Sequence, residues 1–212
     1  MNKRSTVLTA VLGALTLATP AIPAVAAPPP AGLAATLLTT ADLPSRYRPA
    51  TDDPYDFIPR ALFGHGGSCR LPPFTPAHAA TTTFGTEDEY AMEVESLVEV
   101  LAEPGAGAAR ARVAAARSLP ARCPVIETPD LSLRVEAIAL PTIGDSSAAL
   151  QVLAYQKAGP DVYVDAYRSE LAFVADRDAT ITVVLSGFSI QNDTFAVTLE
   201  KATRTALGKL HH

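Results

Sequence analysis

The chain contains no tryptophan, only two cysteines, and fewer basic than acidic residues. Without tryptophan, it lacks the aromatic side chain that offers the largest surface for stacking on sugar rings. Its 17 Lys and Arg face 22 Asp and Glu, and the resulting formal charge of -5 argues against nucleic acid as a partner. After the first residues, the apolar runs are short and broken by charge, so we expect no stable insertion into a membrane.

The first 26 residues have the layout of a secretory signal peptide. A basic start at Lys3 and Arg4 precedes an apolar run at residues 7–18, and an Ala-Val-Ala motif ends at Ala26. The run is shorter than the roughly 20 apolar residues that span a bilayer, and no cysteine stands at the cleavage point to carry a lipid. We therefore expect residues 1–26 to be removed and the protein to be secreted, extracellular or associated with the cell wall.

The two cysteines, Cys69 and Cys123, are predicted to form a disulfide, because an exported chain most simply uses such a pair in this way. In the chain-entropy treatment, closing this loop stabilises the fold by about 4 kcal/mol. A reactive thiol would need a nearby histidine, such as His65, and a reducing environment. A zinc site would need about four ligands at short spacing. The sequence therefore predicts a structural bond and no metal site.

The segment after the signal peptide begins with a proline-rich leader, residues 27–32, which has few backbone donors for a helix or sheet. Leu33, Leu37 and Leu38 then follow a helical spacing. Residues 33–210 are predicted to form a single domain.

Residues 50–76 are rich in Asp, Gly and Pro and show no sustained period, so a long loop containing Cys69 is predicted. An alanine-rich helix is predicted from Gly105 to Pro120. Alternating apolar and polar residues predict six strands, at 81–85, 90–101, 131–140, 147–157, 162–176 and 179–187.

A C-terminal helix is predicted to begin at Asn192 and Asp193. Its apolar stripe, which should pack on the sheet, consists of Phe195, Leu199, Ala202, Ala206 and Leu210. The order of these elements predicts an α+β fold, in which helices pack on one face of an antiparallel sheet of about six strands with one disulfide.

Two of the predicted strands carry charged residues that affect the assignment of their faces. Arg168 and Glu170 fall on the side of strand 162–176 that begins apolar, which predicts a bulge or bend near Ser169. In strand 90–101, Val98 and Val100 share the predicted apolar face and the glutamates share the other.

One face of the predicted sheet collects tyrosines and charged residues. If Val135, Val152, Val162 and Val164 point toward the helices, strand alternation places on the opposite face Arg134, Glu136, Gln151, Tyr155, Tyr163, Asp165 and Tyr167. The glutamates that could lie beside them are Glu93, Glu95 and Glu99. Tyrosines mixed with charges are typical of a recognition surface, and the alternative is an ordinary solvated sheet face. The hypothesis is that this face binds a small molecule or a cell-envelope fragment.

No other group of residues predicts catalysis or cofactor binding. No Gly-x-Ser-x-Gly motif follows a strand, so no catalytic residue is assigned. The acidic stretch Glu87, Asp88 and Glu89 could bind calcium, but a solvated turn between two strands is the preferred interpretation. His211 and His212 are interpreted as a tail or an expression remnant.

Four sequence features together resemble the PknH-like extracellular sensor domains of actinobacteria. They are "LLTTADLPSRYRP" after an exported leader, a cysteine before the first strand, "AAARSLPARC" at a helix end, and "ALPTIGDSSAALQV" entering a hairpin. The resemblance implies an antiparallel sheet backed by helices, a cleft for an unidentified ligand, and no catalytic activity. This chain differs in having cysteines for one bridge where the kinase-linked domain has two, and in having neither a kinase nor a membrane helix.

The sequence therefore predicts a secreted, non-enzymatic, monomeric, sensor-like domain that binds an unidentified small molecule or cell-envelope ligand. The alternative is an exported carrier of lipid or cell-wall molecules with a similar sheet-and-helix fold. Such a carrier requires an apolar cavity in place of an open polar face.

Overall fold

The computed structural model describes residues 31–64, 69, 71, 79–86, 95–159, 162–188 and 195–212. The predicted signal peptide lies outside these ranges. So do the predicted turn at residues 87–89, the predicted cap at Asn192 and Asp193, and the side chains of His65, His78 and Glu93.

Within the described ranges, helices and strands follow one another in the order α1 Ala31–Ala35, β1 Tyr47–Pro49, α2 Phe57–Gly64, β2 Ala79–Thr86, β3 Ser96–Ala102, α3 Ala106–Arg122, β4 Val125–Glu127, β5 Leu131–Ala137, β6 Ser146–Gly159, β7 Val162–Asp176, β8 Ala179–Phe188 and α4 Leu199–Leu210. A short 3-10 helix, Thr40–Asp42, lies between α1 and β1. No described helix is both long and apolar enough to cross a membrane.

The strands form one antiparallel sheet in the order β1-β2-β3-β8-β7-β6-β5-β4. The α+β class is confirmed, and all six predicted strands are present. The sheet has eight strands, not about six, because β1 and β4 add an edge strand on each side. Each of these has three residues, which is too short to show an alternating pattern.

Helices cover both faces of the sheet, so the expectation that they pack on one face was wrong. The face that carries Phe173 packs against α2 and α3, through residues such as Leu62 and Val113. The opposite face carries Val174 and packs against α1 and α4, through residues such as Leu33 and Ala202. The physical reason is that β7 and β8 bury both of their alternating sets of side chains, and each set needs a cover.

One helix was not predicted, and another begins later than predicted. The predicted loop 50–76 contains α2, whose residues Ile58, Ala61 and Leu62 lie in the core at helical spacing. The C-terminal helix begins later than predicted, and Thr198 caps it by accepting a hydrogen bond from the backbone N–H of Lys201 at 3.2 Å.

The predicted apolar stripe of α4 is confirmed, because all of its members pack in or against the core on the α1 side of the sheet.

Strand β7 has no bulge at Ser169, contrary to expectation. Ser169 pairs in regular register with Val152 on one side and Ser186 on the other. The register shifts lie around Lys157 of β6, opposite the beginning of β7. The side chains of β7 face opposite to the prediction, since Val162 and Val164 are exposed whereas Leu171 and Phe173 lie in the core on the α2 and α3 side.

The disulfide between Cys69 and Cys123 is confirmed. Cys123 is the residue that ends α3, and Cys69 follows shortly after α2. Leu71, which is fully buried, donates its backbone N–H to the carbonyl of Leu62 in α2 at 3.4 Å. The disulfide therefore connects the region behind α2 to the end of α3.

Candidate functional site

The predicted recognition surface is assembled in part. Arg134, Glu136, Gln151 and Tyr155 lie on one face of the sheet, since Glu136 pairs with Gln151 and Arg134 with Leu153 in the β5–β6 register. Arg134 and Glu136 are exposed, and the other two are half-buried. This group is called the polar face below.

Tyr167 lies on the opposite face, so its assignment to the polar face was wrong. It contacts the rings of Tyr55, Phe57 and Phe188, with centroids 5.9, 5.2 and 4.8 Å from its own. The prediction assigned the two faces of β7 on the assumption that Val162 and Val164 point toward the helices. They are 51% and 55% exposed and point away from the helices. The backbone of Tyr163 pairs with Lys157. The side chains of Tyr163 and Asp165 lie outside the described part of the structure.

The charged groups of β7 on the polar face pair with their neighbours. Arg168 forms an ion pair with Glu170 and stacks over Phe195, with its guanidinium carbon 5.6 Å from the ring centroid. With its amide oxygen turned toward Arg168, Gln151 accepts a hydrogen bond from the Nε of that arginine at 2.8 Å. A depression of about 250 Å³ on this face is lined by Val125, Ser132, Arg134 and Tyr155.

Glu95 and Glu99 lie on the same face of the sheet as Arg134 but are buried, not on the open surface. Glu95 forms an ion pair with Arg46 and accepts hydrogen bonds from the Tyr47 hydroxyl at 2.8 Å and the Ala196 backbone N–H at 3.1 Å. The expectation that the glutamates extend the recognition surface was therefore wrong for these two.

The carboxylate of Glu99 accepts a hydrogen bond from the backbone N–H of Leu38 at 2.7 Å. Its Oε1 has no hydrogen-bond partner among the described residues. Burial raises the pKa of Glu99 to about 7, an effect that the Leu38 hydrogen bond and the charge of Lys209 only partly oppose.

A second candidate site lies on the other face, where α2 and α3 stand over β3 and β8. It is a cleft of about 300 Å³, lined by Asp53, Pro59, Phe63, Val98, Val100, Arg112, Thr182 and Val184. The floor is formed by two cross-strand pairs of small branched side chains, Val98 with Val184 and Val100 with Thr182. Most of the lining is apolar, so the cleft offers a surface that water solvates poorly. It is called the apolar cleft below.

One aromatic ring, that of Phe63, and one arginine, Arg112, define the helical side of the apolar cleft. Phe63 of α2 packs edge-on against Phe173 of β7, with centroids 6.3 Å apart. The guanidinium carbon of Arg112, from α3, lies 5.1 Å from the Phe63 ring centroid and 5.8 Å from that of Phe173. Burial in these surroundings lowers the pKa of Arg112.

Among the described residues that line the cleft, Asp53 is the other charged one. Its Oδ1 accepts a hydrogen bond from the backbone N–H of Tyr55 at 2.9 Å, in the turn that precedes α2. One of its two carboxylate oxygens therefore stabilises this turn.

One feature of the sequence points to the apolar cleft. Arg112 follows Ala109 by three residues and precedes Ala116 by four, so it occupies the buried stripe of α3. Charged residues are rarely buried in an apolar core, so a charged residue in this stripe indicates that part of the helix face does not pack against the core. The prediction of this region also lacked α2, which supplies Phe63.

The described residues, including the C-terminal histidine His211, do not meet the requirements of a metal site. Among the described residues, no three His, Cys, Asp or Glu side chains cluster in a way that could hold a metal ion. His211 does not extend freely, because its Nε2 lies 2.8 Å from Oδ2 of Asp176 at the end of β7.

No protein-family model matches this chain, and no curated protein matches it at a significant level. A fragment of a STAR-related lipid transfer protein from Xanthomonas axonopodis has 12% identity and a TM-score of 0.34, over 78% of this chain and 95% of that one. CalU16 from Micromonospora echinospora has 10% identity and a TM-score of 0.30, over 63% of this chain and 83% of that one. Scores this low carry no argument about function, which is therefore inferred from the two sites alone.

Proposed function

We propose that the chain is a non-enzymatic binding protein that holds an apolar small molecule in the apolar cleft, as a carrier of lipid or cell-envelope molecules would. The observation that carries this proposal is the paired floor of Val98 with Val184 and Val100 with Thr182 beneath Phe63. Small-molecule sites are typically concave, mostly apolar, and supplied with a few polar groups that orient the ligand. The apolar cleft has these three properties.

The polar face supports the second candidate, sensor-like recognition of a polar ligand near Arg134 and Tyr155. The depression there is of similar volume. However, Arg168 and Glu170 beside it already neutralise each other, as on an ordinary solvated sheet face. The apolar cleft is favoured because an apolar ligand gains free energy by leaving water there. The resemblance to PknH-like domains is compatible with either site.

Export is part of the proposal. A disulfide between Cys69 and Cys123 persists in an oxidising compartment, and reducing enzymes of the cytoplasm would open it. An exported protein with an apolar cleft can move a poorly soluble molecule between the membrane and the wall.

Fluorescence of the neutral dye N-phenylnaphthylamine tests the choice between the two sites. We expect the dye to bind the wild-type protein and to bind Val100→Phe at least about tenfold more weakly, because the new ring fills the apolar cleft. Val100 is only half-buried, so the fold accommodates the larger side chain.

Val125→Phe is the matched control, since the same substitution then fills the depression on the polar face, where Val125 is 48% exposed. It should leave dye binding unchanged. Weaker binding in Val125→Phe alone would move the site to the polar face, and no binding by the wild type would reject the proposal.

Native mass spectrometry after incubation with an extract of envelope lipids tests carriage itself. The wild type and Val125→Phe should retain a bound species that Val100→Phe lacks. The species released from the protein should have the same mass as before binding, because no catalytic step is proposed. Release of a chemically altered molecule would instead indicate an enzyme.

A further inference from the structure

We infer that the ligand of the apolar cleft is a single-chain amphiphile whose head group is a primary ammonium, bound by the carboxylate of Asp53. The inference rests on the proposed function and adds the chemistry of the head group to it. The juxtaposition that carries it is a half-buried carboxylate, with no ion-pair partner among the described residues, in the lining of an apolar cleft.

The carboxylate of Asp53 is held in place by the turn that precedes α2. Its Oδ1 accepts the backbone N–H of Tyr55 at 2.9 Å, and the backbone carbonyl of Asp53 accepts the N–H of Asp56 at 3.2 Å. Both the side chain and the backbone of Asp53 are restrained in this way. A ligand head group therefore meets a carboxylate whose orientation is already set, and binding loses little conformational entropy there.

The second oxygen of this carboxylate, Oδ2, is available to a ligand. Oδ1 is bonded to Tyr55, whereas no described residue donates a hydrogen bond to Oδ2. The neighbouring acidic residues Asp52 and Asp56 are exposed, and Asp56 forms an ion pair with Arg60. Of these three carboxylates, that of Asp53 is the one in the lining of the cleft.

A cation is the partner that best compensates the carboxylate of Asp53. A ligand that fills the cleft removes water from this carboxylate, and a charge that loses water without gaining a partner costs free energy. A primary ammonium offsets the cost, because it brings the opposite charge and three N–H donors. A hydroxyl group supplies one donor but leaves the negative charge uncompensated, and a ligand carboxylate would be repelled.

Arg112, which lines the same cleft, does not neutralise Asp53. Its guanidinium carbon lies over the rings of Phe63 and Phe173, and no ion pair joins it to Asp53. Desolvation lowers the pKa of Arg112, whereas a carboxylate close to the guanidinium would raise it. The negative charge of Asp53 therefore remains for the ligand to compensate.

The size of the apolar cleft limits the ligand to one chain. Its volume of about 300 Å³ lies at the lower end of the range of about 300 to 1,000 Å³ that small-molecule sites span. The floor of Val98, Val100, Thr182 and Val184 is a narrow patch across two strands. A lipid with two acyl chains would leave one of them in water.

Displacement of N-phenylnaphthylamine by three ligands of equal chain length tests the inference at concentrations below their micelle formation. The wild type should bind dodecylamine about tenfold more tightly than dodecan-1-ol, because the ammonium forms a charge-assisted hydrogen bond with Asp53. Dodecanoate should bind no more tightly than the alcohol.

Asp53→Asn separates the charge of this side chain from its role in the turn. The amide oxygen can still accept the Tyr55 N–H, so the amide nitrogen takes the place of Oδ2. The preference for dodecylamine over dodecan-1-ol should disappear. This preference is a ratio of two affinities in the same variant, so a general loosening of the cleft would not abolish it.

Asp52→Asn is the matched control, because the chain as a whole is acidic and attracts cations in general. It removes the same charge from the adjacent residue, which is exposed and is not among the described residues that line the cleft. The preference for dodecylamine should remain as in the wild type. In both proteins, added sodium chloride should reduce it by screening.

The outcomes distinguish the two proposals. If the wild type binds the dye but does not distinguish dodecylamine from dodecan-1-ol, the inference about Asp53 is wrong and the proposed function stands. The inference is equally wrong if the preference survives in Asp53→Asn, or if Asp52→Asn loses it to the same extent. If the dye does not bind at all, the proposed function itself fails.

Discussion

Cys69 and Cys123 are bonded to each other across the two helices that border the apolar cleft. Cys123 ends α3, which contributes Arg112, and Cys69 lies in the segment after α2, which contributes Phe63. Both cysteines belong to or pack against the core beneath these helices. The disulfide therefore fixes the separation of the two sides of the proposed binding site.

Replacing both cysteines by serine should lower the free energy of unfolding and weaken dye binding together. The chain-entropy treatment gives a loss of about 4 kcal/mol for a cross-link over 54 residues. Urea unfolding followed by circular dichroism measures the first effect, and titration with N-phenylnaphthylamine under native conditions measures the second. The wild type treated with a reducing agent is the matched comparison. Unchanged dye affinity in a folded double-serine protein would show that the bond does not shape the cleft.

The sequence was sufficient for those parts of the fold in which the signal is long or chemically unambiguous. Alternation over many residues indicated the six longer strands, alanine content indicated α3, and the lone cysteine pair indicated the disulfide. The short α2 was missed because its two turns stand among Pro, Asp and Gly residues, and composition there outweighed the spacing of Ile58, Ala61 and Leu62.

The face of each strand was harder to predict than its existence. Val162 and Val164 are apolar but exposed, so the composition of the first half of β7 indicates the wrong inward face. Tyr167 was therefore assigned to the wrong face. The apolar cleft was not predicted either. Val98 and Val100 have the sequence pattern of core residues, and the pattern does not show how α2 and α3 lie over them.

Gly144 should be intolerant of a side chain. Its φ of +63° lies in the left-handed region, and an added Cβ would stand 2.8 Å from the carbonyl oxygen of Ala175 and 2.9 Å from a methyl carbon of Val174. Gly144→Ala should therefore lower the free energy of unfolding by about 2 kcal/mol. Thermal unfolding of purified variants checks this.

Gly107 provides the control, because it is exposed in α3 and an added Cβ there has no atom within 4 Å. Gly107→Ala should raise stability by roughly 0.5 kcal/mol, since alanine loses less entropy than glycine in a helix. If both substitutions proved equally neutral, the turn at Gly144 would not have the conformation described.

Glu99 should make the stability of the protein fall as the pH rises toward neutrality. Its pKa is about 7 in the folded chain, above the ordinary value of 4.5, because burial disfavours the charged form. The folded state therefore holds the proton more tightly than the unfolded state. Stability from this group is fully present below about pH 4.5 and is lost as the pH rises through about 7, by on the order of 3 kcal/mol.

Glu99→Gln isolates that contribution, because the amide is nearly the same shape and never ionises. The variant can still accept the hydrogen bond from Leu38 through its amide oxygen. The difference in unfolding free energy between Glu99→Gln and the wild type should grow from near zero at pH 4 to its largest value above pH 7, with the variant the more stable.

Urea titrations at several pH values measure this difference, and Glu136→Gln, at an exposed position on the same face of the sheet, is the matched control. A difference for Glu99→Gln that stays constant with pH would mean that burial does not hold the proton on Glu99. In that case, the packing of α1 and α4 over β3 would have to admit water to the carboxylate.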